Sequence, residues 1–298
     1  MARPPKLEVS AINIRISTDE DRDYSALIAT LAEQRKGVRV YGDSYVAISY
    51  FDESSKMGIL SKYTEIDIDG DWFDLEDFDA APPEKLDEIS IPESLRPNLA
   101  QFYFKLDEDS HVVLFSSYSA SKSLSARSLE TYFAQALRWS VISQKFGRVE
   151  ADIIKSYDEA EMLLRMPHLK EMRFIIGRPN TDIGRGLAEE IEERLERENG
   201  DEYEEVVRTK TEKDLVPTER SFNLAIVASE NGKVQTKSLV NGIVTTHTTE
   251  DSPLVEKDTY DPEVQSELSV FNRLASTLIS KVNQMRDRLR EKTTDPNG

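Results

Sequence analysis

The net negative charge of this chain lies in two segments, which cannot contribute much to a hydrophobic core. The formal net charge is −18. Residues 65–93 contain twelve acidic residues and one basic residue, and residues 182–214 contain thirteen acidic and six basic residues. These two segments account for the whole net charge, because the rest of the chain carries equal numbers of acidic and basic residues. The acidity therefore marks two solvated surface features.

The composition allows a globular core and excludes several kinds of site. The chain has 298 residues, enough for one large domain or two medium ones. It contains no cysteine, which excludes disulfides, zinc–thiolate sites, iron–sulfur clusters and thiol nucleophiles. No stretch approaches the ~18 apolar residues that a membrane-spanning helix needs, and the N-terminal residues lack the apolar core of a signal peptide. We therefore expect a cytoplasmic protein without membrane contact.

The first part of the chain predicts a β-α-β-β unit. Alternating apolar residues indicate strands at 7–16, 38–51 and 56–68, and helical spacing from Tyr24 indicates a helix that ends near Gly37. The first acidic segment follows this unit. We expect an ordered loop there, because four apolar side chains can anchor it. These are Trp72, Phe73, Leu75 and Phe78.

The middle of the chain predicts a second unit with the order β-β-α-β-α-β. Strands are expected at residues 102–106, 111–118, 149–154 and 172–176, and helices are expected after Ser125 and at 158–166. Ser125 suits a helix N-cap because its hydroxyl can accept a bond from an unpaired backbone N–H. Beyond a second acidic helix, residues 222–228, 233–239 and 242–248 predict a three-strand meander. Its turns would be Asn231-Gly232 and Asn241-Gly242.

The last helix carries a heptad pattern. Its apolar residues follow steps of four and three at Val264, Leu268, Phe271, Ala275, Leu278, Val282, Met285 and Leu289. Such a seam either packs on the sheet of its own chain or joins a partner helix of a second copy. In the second case the homodimer interface would consist of Leu268, Phe271, Leu278, Val282, Met285 and Leu289.

We therefore predict an α+β fold with mainly antiparallel sheets. Two mixed βαβ-type units, at about residues 1–78 and 99–180, would place helices on one face of each sheet. A C-terminal three-strand meander and a long C-terminal amphipathic helix complete the fold. The expected domain boundaries are 1–98, 99–260 and 261–298.

The sequence contains no motif of known catalytic chemistry. It lacks the Gly-x-Ser-x-Gly elbow of esterases, the phosphate-binding loop of nucleotide hydrolases and the Glu-x-Lys pair of many restriction-type nucleases. The acidic run from Asp67 to Glu76 alternates as in a cation-binding loop, but its glycine is not where a calcium loop needs it. We expect neither a metal nor a cofactor, and no catalytic residue is identified.

Basic residues near one helix start and in the C-terminal helix are the candidates for nucleic-acid contact. Residues 119–127 are small, polar and basic, and the helix that follows could hold phosphate at its N-terminus. The alternative is an ordinary capped helix with a flexible entry. The predicted contact residues are Lys122, Arg127, Lys281, Arg286, Arg288 and Arg290.

Several phrases together resemble an uncharacterised bacterial family of about this length, known as a domain of unknown function. They are Ala11–Ile14, Tyr63–Asp67 followed by Trp72–Leu75, Ile91–Asn98, Lys145–Glu150, Arg178–Asn180 and Pro253–Lys257. The resemblance extends to about Tyr260 and implies no chemistry. Members of such families occur among mobile-element and phage-defence genes.

Three functions remain open from the sequence. The first is a non-enzymatic subunit of a bacterial antiphage-defence or mobile-element system that binds nucleic acid or a protein. The second is a metal-dependent nuclease whose carboxylates converge around a lysine. The third is a homo-oligomeric scaffold whose acidic segments imitate nucleic acid. The absence of enzyme motifs favours the first.

Overall fold

The structure is a computed structural model that describes residues 4–17, 22–68, 70–86, 91–179, 186–210 and 213–291. Within these ranges there are fifteen strands: β1 Lys6–Ile16, β2 Val38–Tyr41, β3 Ser44–Asp52, β4 Met57–Thr64, β5 Phe73–Asp74, β6 Asp79–Ala80, β7 Ala100–Asp107, β8 Val112–Ser119, β9 Lys122–Ser123, β10 Val149–Ile153, β11 Leu169–Gly177, β12 Glu202–Arg208, β13 Gly232–Val240, β14 Ile243–Thr248 and β15 Val255–Thr259. There are eight helices: α1 Tyr24–Glu33, α2 Pro83–Leu86, α3 Ala126–Ala136, α4 Ser140–Phe146, α5 Tyr157–Leu164, α6 Leu187–Glu198, α7 Glu219–Asn231 and α8 Glu267–Glu291.

A nine-stranded antiparallel sheet forms the centre of the fold. Its main path runs β10-β1-β8-β7-β4-β3-β2, with β9 added beside β8. One edge of β1 pairs with β8. Its other edge pairs with β15 along residues 6–10 and with β10 along residues 12–16. Strands β15 and β10 therefore lie end to end along the same edge of β1.

The two faces of β1 belong to two separate hydrophobic cores. Ile12, Ile14 and Ile16 pack in the core formed with α1, α3 and α4. Leu7, Val9 and Ala11 pack in the core formed with α5 to α8 and the second sheet. Because successive side chains of a strand point to opposite faces, β1 is apolar on both. The strand predicted at residues 7–16 is confirmed.

The second sheet has four antiparallel strands in the order β12-β11-β13-β14. The predicted hairpin at Asn241-Gly242 is confirmed between β13 and β14. The predicted first strand of the meander, residues 222–228, is wrong, because these residues lie within α7. Thr218 and Ser221 start that helix with a reciprocal capping box, and Asn231-Gly232 is a helix-to-strand junction.

The heptad seam of α8 packs within the chain. Phe271, Leu278 and Val282 are fully buried, and Met285 and Leu289 are less than 9% exposed. They belong to the same core as Leu7, Val9 and Ala11. Of the two interpretations left open by the sequence, the structure shows the intramolecular one. Five of the six residues expected at a dimer interface are covered by their own chain, and Leu268 alone of the six is 39% exposed.

The first acidic segment contains a small hairpin formed by β5 and β6. The prediction that Phe73, Leu75 and Phe78 anchor this segment is wrong, because all three side chains are exposed. Trp72 is partly buried, and its indole N–H donates to the Ile68 carbonyl at 3.1 Å. Local hydrogen bonds and ion pairs, rather than a set of aromatic anchors, order this segment.

The fold class predicted from the sequence is confirmed as α+β with mainly antiparallel sheets and a long C-terminal helix. Strands from both predicted units share the nine-stranded sheet, since β1 to β4 precede residue 98 and β7 to β10 follow it. The division of the chain at residues 98 and 260 into separate domains stays a prediction.

Candidate functional site

Arg286, predicted to contact nucleic acid, is buried and paired inside the protein. The residue is 3% exposed. It donates to both carboxylate oxygens of Glu230 at 2.8–3.0 Å and to the Ser110 carbonyl at 2.9 Å. The expectation for Arg286 is therefore wrong, because its donors are already used by protein acceptors.

The other predicted basic residues have separate surroundings. Lys281 forms an ion pair with Glu256, and the Arg288 guanidinium lies 5.5 Å from the centre of the Tyr157 ring. Arg127 lies 3.8 Å from the Asp251 carboxylate. Lys122 is exposed beside a shallow pocket that Glu267 also lines. The Arg290 side chain lies outside the described residues. Nucleic-acid contact by these residues stays a prediction.

A layer of buried polar side chains begins where the apolar face of β1 ends. The side chains of Leu7, Val9 and Ala11 share a face with Asn13 and Arg15, because the strand alternates. Both polar residues are nearly inaccessible to solvent. Their neighbours across the ladder on β10 are also polar: Asn13 pairs with Asp152 and Arg15 with Glu150.

Arg15, Arg178 and the α6 residue Glu192 form ion pairs within this layer. Arg15 forms ion pairs with Glu150 and, at 3.9 Å, with Glu192. Arg178 reaches the same Glu192 oxygen at 3.3 Å and donates to the Gly200 carbonyl. Burial raises the pKa of the Glu192 carboxyl, and the two arginines partly oppose that shift. The layer therefore holds charged groups at a desolvation cost.

Several polar atoms of the layer have no hydrogen-bond partner among the described residues. They are Asn13 Oδ1, Arg15 Nε and Glu192 Oε2. The Asn13 amide does donate to Asn231 Oδ1 at 2.9 Å, which links β1 to the end of α7. Buried unsatisfied polar atoms are costly, and their concentration at one place in a fold is typical of a functional site.

Lys155 lies at the junction between β10 and β15, which pair with consecutive parts of the same edge of β1. Its backbone N–H donates to the Ser229 carbonyl at 2.7 Å, and it forms an isolated bridge with Pro253. Its side chain is 6% exposed, and its Nζ donates to the Ile153 carbonyl at 3.3 Å. In the described part of the chain no carboxylate oxygen lies within 4.0 Å of this Nζ, so no ion pair holds the ammonium.

Lys155 lines a cleft of 420 Å³ between the two sheets. The first turn of α3, the ends of β10 and β11, the start of β13 and the loop after β14 surround it. Its charged lining residues are Arg127, Glu130, Asp152, Lys155, Glu202, Lys233, Glu250 and Asp251. A second cleft lies on the other side of Asp152, which lines both, and contains Arg148, Glu150 and Arg178. The polar layer therefore opens to solvent on two sides.

Burial shifts the pKa values of two side chains of the first cleft in opposite directions. Burial raises the pKa of the Asp152 carboxyl to about 6, and the Lys155 charge partly opposes this. Burial lowers the pKa of the Lys155 ammonium, against the opposing charges of Glu130 and Asp152. A weak acid and a weak base therefore share one cleft, as in many acid–base sites.

A different surface is formed by residues 70–86, which we call the acidic hairpin. Its described residues include six acidic side chains and one basic side chain, Lys85. Lys85 forms ion pairs with three of the carboxylates: Asp74, Glu76 at 3.1 Å and Asp77 at 3.8 Å. The hairpin therefore keeps a net negative charge while its apolar side chains face solvent.

A family model described as a domain of unknown function, DUF4747, matches residues 5–276. The chain belongs to this family. The family resemblance seen in the sequence is thereby confirmed, and the match extends past the part of the chain in which it was recognised. A comparison with curated proteins finds no match. The family thus assigns no chemistry to either cleft or to the acidic hairpin.

The described residues of this DUF4747 member contain neither a metal-binding cluster nor a membrane-spanning helix. No three histidine, aspartate or glutamate side chains there are arranged so that they could hold a metal ion. No helix in the described ranges has the length and apolar character that crossing a membrane requires. The acidic run from Asp67 to Glu76, for which no metal is expected, includes Asp69, which lies outside the described residues.

The polar layer and Lys155 were missed in the sequence for identifiable reasons. The apolar residues from Leu7 to Ile16 predict the strand, whereas Asn13 and Arg15 interrupt one of its two faces. That interruption was a usable signal, since a strand apolar on both faces has no reason to carry an arginine near its end. The position of Lys155 had no sequence signal, because its neighbours come from α7 and from the loop before β15.

Proposed function

We propose that the chain is a cytoplasmic binding subunit that docks a basic protein partner through the acidic hairpin, within a bacterial antiphage-defence or mobile-element system. The observation that supports this is the exposure of three large apolar side chains on a hairpin of net negative charge. Phe73, Leu75 and Phe78 are 57%, 81% and 79% exposed. The genomic setting is supported by the family resemblance alone.

The geometry of the hairpin suits a partner with apolar pockets. The rings of Phe73 and Phe78 pack edge to face with centroids 5.1 Å apart, which presents them as one apolar surface. Phe78 also has a positive φ of 56°, a conformation that is unfavourable for a bulky side chain. Strain and exposure at one aromatic residue are typical of a binding position, because neither stabilises the free protein.

The charge of the hairpin favours a basic protein over nucleic acid. The carboxylates of Asp71, Asp79 and Glu84 are exposed around the apolar side chains. They repel phosphate within a Debye length of ~10 Å. They attract lysine and arginine side chains and would orient a basic partner before the aromatic side chains are buried. A second copy of this acidic chain is a weaker candidate for the same electrostatic reason.

The proposal is tested with a triple variant of the hairpin, Phe73→Ser, Leu75→Ser and Phe78→Ser. Tagged full-length protein is crosslinked in cells that express it natively, and the captured proteins are quantified by mass spectrometry. The strongest basic candidate is then purified and titrated calorimetrically against wild type and variant. We expect at least ~100-fold weaker binding for the variant, because buried aromatic side chains dominate interface energies.

A matched control replaces three equally exposed apolar residues elsewhere: Val216→Ser, Ile243→Ser and Val244→Ser. This control should bind the partner as wild type does, and raising the salt concentration should weaken the wild-type complex. Equal binding by the hairpin variant would contradict the proposal. Nucleic-acid binding would also contradict the proposal. This outcome would be salt-sensitive binding of short DNA or RNA that the hairpin variant keeps and that is lost when Lys122 and Arg127 are replaced by glutamate.

A further inference from the structure

We propose that the amine of Lys155 captures a small polar aldehyde or ketone in the intersheet cleft by forming an imine with it. This inference goes beyond the docking function, because it concerns a different part of the molecule. It depends on the placement of one lysine, on the cleft that the lysine lines and on the groups that face it.

The backbone fixes Lys155 at the bottom of the cleft. Hydrogen bonds on both sides of the residue, to Ser229 at 2.7 Å and between Leu254 and the Ile154 carbonyl at 2.8 Å, hold the junction of β10 and β15. The side chain is more than nine-tenths buried and still lines a cleft that opens to solvent. Lys155 is therefore both buried and part of the lining of a cleft that a small molecule can enter.

The Lys155 nitrogen has spare hydrogen-bonding capacity. An ammonium group has three donors, and among the described residues this one has a single acceptor, the Ile153 carbonyl at 3.3 Å. A buried cation that lacks an ion pair is poorly compensated for its lost hydration. The neutral amine, which is the nucleophilic form of lysine, is favoured by the same surroundings.

Four charged groups affect Lys155, and they come from α3, from β10, from β13 and from the loop after β14. Glu130, Asp152 and Glu250 favour its charged form, whereas Lys233 and burial oppose it. Burial is the largest of these effects, and the pKa of Lys155 is lowered as a result. Lys233 is itself held by Glu250 at 2.9 Å. The cleft therefore contains one paired and one unpaired lysine, and the unpaired one is the reactive candidate.

The size and lining of the cleft define the class of ligand. A volume of 420 Å³ lies in the range of small-molecule sites. The described lining includes the first turn of α3, three basic side chains and five carboxylates. Such a lining offers donors and acceptors to a compact polar molecule, and its excess of carboxylates opposes polyanions.

The reaction needs no oxidant or reductant. The Lys155 nitrogen bonds to the carbonyl carbon, the π pair of the C=O bond moves to oxygen, and one proton passes from nitrogen to that oxygen. The Asp152 carboxyl donates a second proton to the oxygen, which leaves as water while the nitrogen lone pair forms the C=N bond. The remaining nitrogen proton returns to the Asp152 carboxylate. One amine and one carbonyl give one imine and one water.

The proposal is tested by trapping the imine in the full-length protein. Glyoxylate, an aldehyde that carries a carboxylate, is added with cyanoborohydride at pH 7, and the modified lysines are located by peptide mass spectrometry. We expect Lys155 to react at least ~10-fold faster than the exposed Lys122, as befits a desolvated amine. Lys233, which lines the same cleft but is ion-paired, serves as the internal control and should react no faster than Lys122.

Further measurements distinguish a reactive site from general lysine modification. Asp152→Asn should slow labelling of Lys155 by about tenfold or more without changing that of Lys122. In wild type the ratio of the Lys155 labelling rate to the Lys122 labelling rate should fall as the pH is raised to 10. At that pH exposed amines also become neutral. Labelling of Lys155 at the rate of Lys122, or a ratio that is unchanged by pH and by urea unfolding, would overturn the proposal.

Discussion

Arg286 and Glu230 form a bidentate ion pair that joins the last helix to the end of α7. The guanidinium Nε and Nη2 donate to the carboxylate at 2.8–3.0 Å, and Nη1 donates to the Ser110 carbonyl at 2.9 Å. Arg286 is 3% exposed and Glu230 is 7% exposed. An arginine that the sequence places in a basic tail is thus part of the interior.

Removing one partner of this pair should destabilise the protein strongly. Arg286→Ala leaves the Glu230 carboxylate buried without its cation, and we expect a loss of about 3–5 kcal/mol of unfolding free energy. Urea unfolding followed by circular dichroism measures this loss. Lys281→Ala, which breaks the exposed pair with Glu256, is the control and should cost less than ~1 kcal/mol. Similar losses for the two variants would show that the buried pair has no special role.

The seam of α8 should behave as a core and not as a dimer interface. Leu278 is fully buried, so Leu278→Ala should cost about 2–5 kcal/mol, and Leu278→Asp should unfold the protein. Leu268→Ala should change stability by less than ~1 kcal/mol because that side chain is partly exposed. Chemical denaturation and light scattering provide the readouts. A Leu278→Asp variant that is a folded monomer, derived from a dimeric wild type, would instead support a helix-mediated dimer.

Asp152 should make the protein less stable as the pH rises from about 4 to 7. Its folded-state pKa of about 6 lies above the usual value of 3.8. The folded state therefore binds the proton more tightly. The resulting stabilisation is complete below the unfolded pKa and is lost as the pH passes through the folded one. Relative to wild type, Asp152→Asn should gain stability over this range, by up to about 3 kcal/mol.

The control for this pH dependence is Asp258→Asn, whose effect should have the opposite sign. A hydrogen bond from Arg273 lowers the pKa of the Asp258 carboxyl, so its contribution is present above the unfolded pKa and lost as the pH falls. Unfolding free energies of the three proteins, measured at several pH values, give the comparison. Parallel curves for wild type and Asp152→Asn would mean that the Asp152 carboxyl is not desolvated.

Phe78 should strengthen binding of the partner while it lowers the local stability of the acidic hairpin in the free protein. Phe78→Gly removes a bulky residue from a left-handed conformation, and we expect a gain of roughly 0.5–1 kcal/mol in local stability. Hydrogen exchange of the acidic hairpin measures that gain, and calorimetry should show weaker partner binding. Asn241→Gly, at another positive φ of 50°, is the control and should gain less because asparagine tolerates that conformation. Faster exchange in Phe78→Gly would contradict this explanation.

Most strands were predictable because each one buries at least one face. β1, β3, β4, β7 and β8 each bury alternate apolar residues over part of their length, and each overlaps a strand that the sequence predicts. The helix start at Ser125 was also predictable, since its hydroxyl accepts from Ser128 N–H at 3.1 Å. These features depend on residues close to one another in the chain.

The error at α7 has a physical cause. Residues 224–228 of this helix are buried on all sides, so the helix has no polar stripe and its apolar run resembles a strand. The Asn231-Gly232 pair then completed an apparent hairpin. Its glycine is in fact extended, with a φ of 167°, and lies against the Ile175 backbone of β11, where a side chain would not fit.

The candidate cleft could not have been predicted because it is assembled from distant parts of the chain. Its residues come from α3, β10, β13 and the loop before β15, and no short-range spacing relates them. The prediction that Phe73 and Phe78 of the acidic hairpin are buried failed for a different reason, because here a local signal existed and was misleading. An apolar residue in an acidic segment predicts burial by default, and a surface kept for a partner looks the same in sequence.

The end-to-end placement of β15 and β10 along β1 has a consequence for biosynthesis. Ser10 and Leu254, which share a hydrogen bond at this edge, are 244 residues apart. During translation β1 emerges long before the strand that covers half of its edge, and contacts of such separation form slowly. Until then its unpaired edge is an aggregation hazard. A nascent chain of this protein therefore exposes that half of the β1 edge for most of its synthesis.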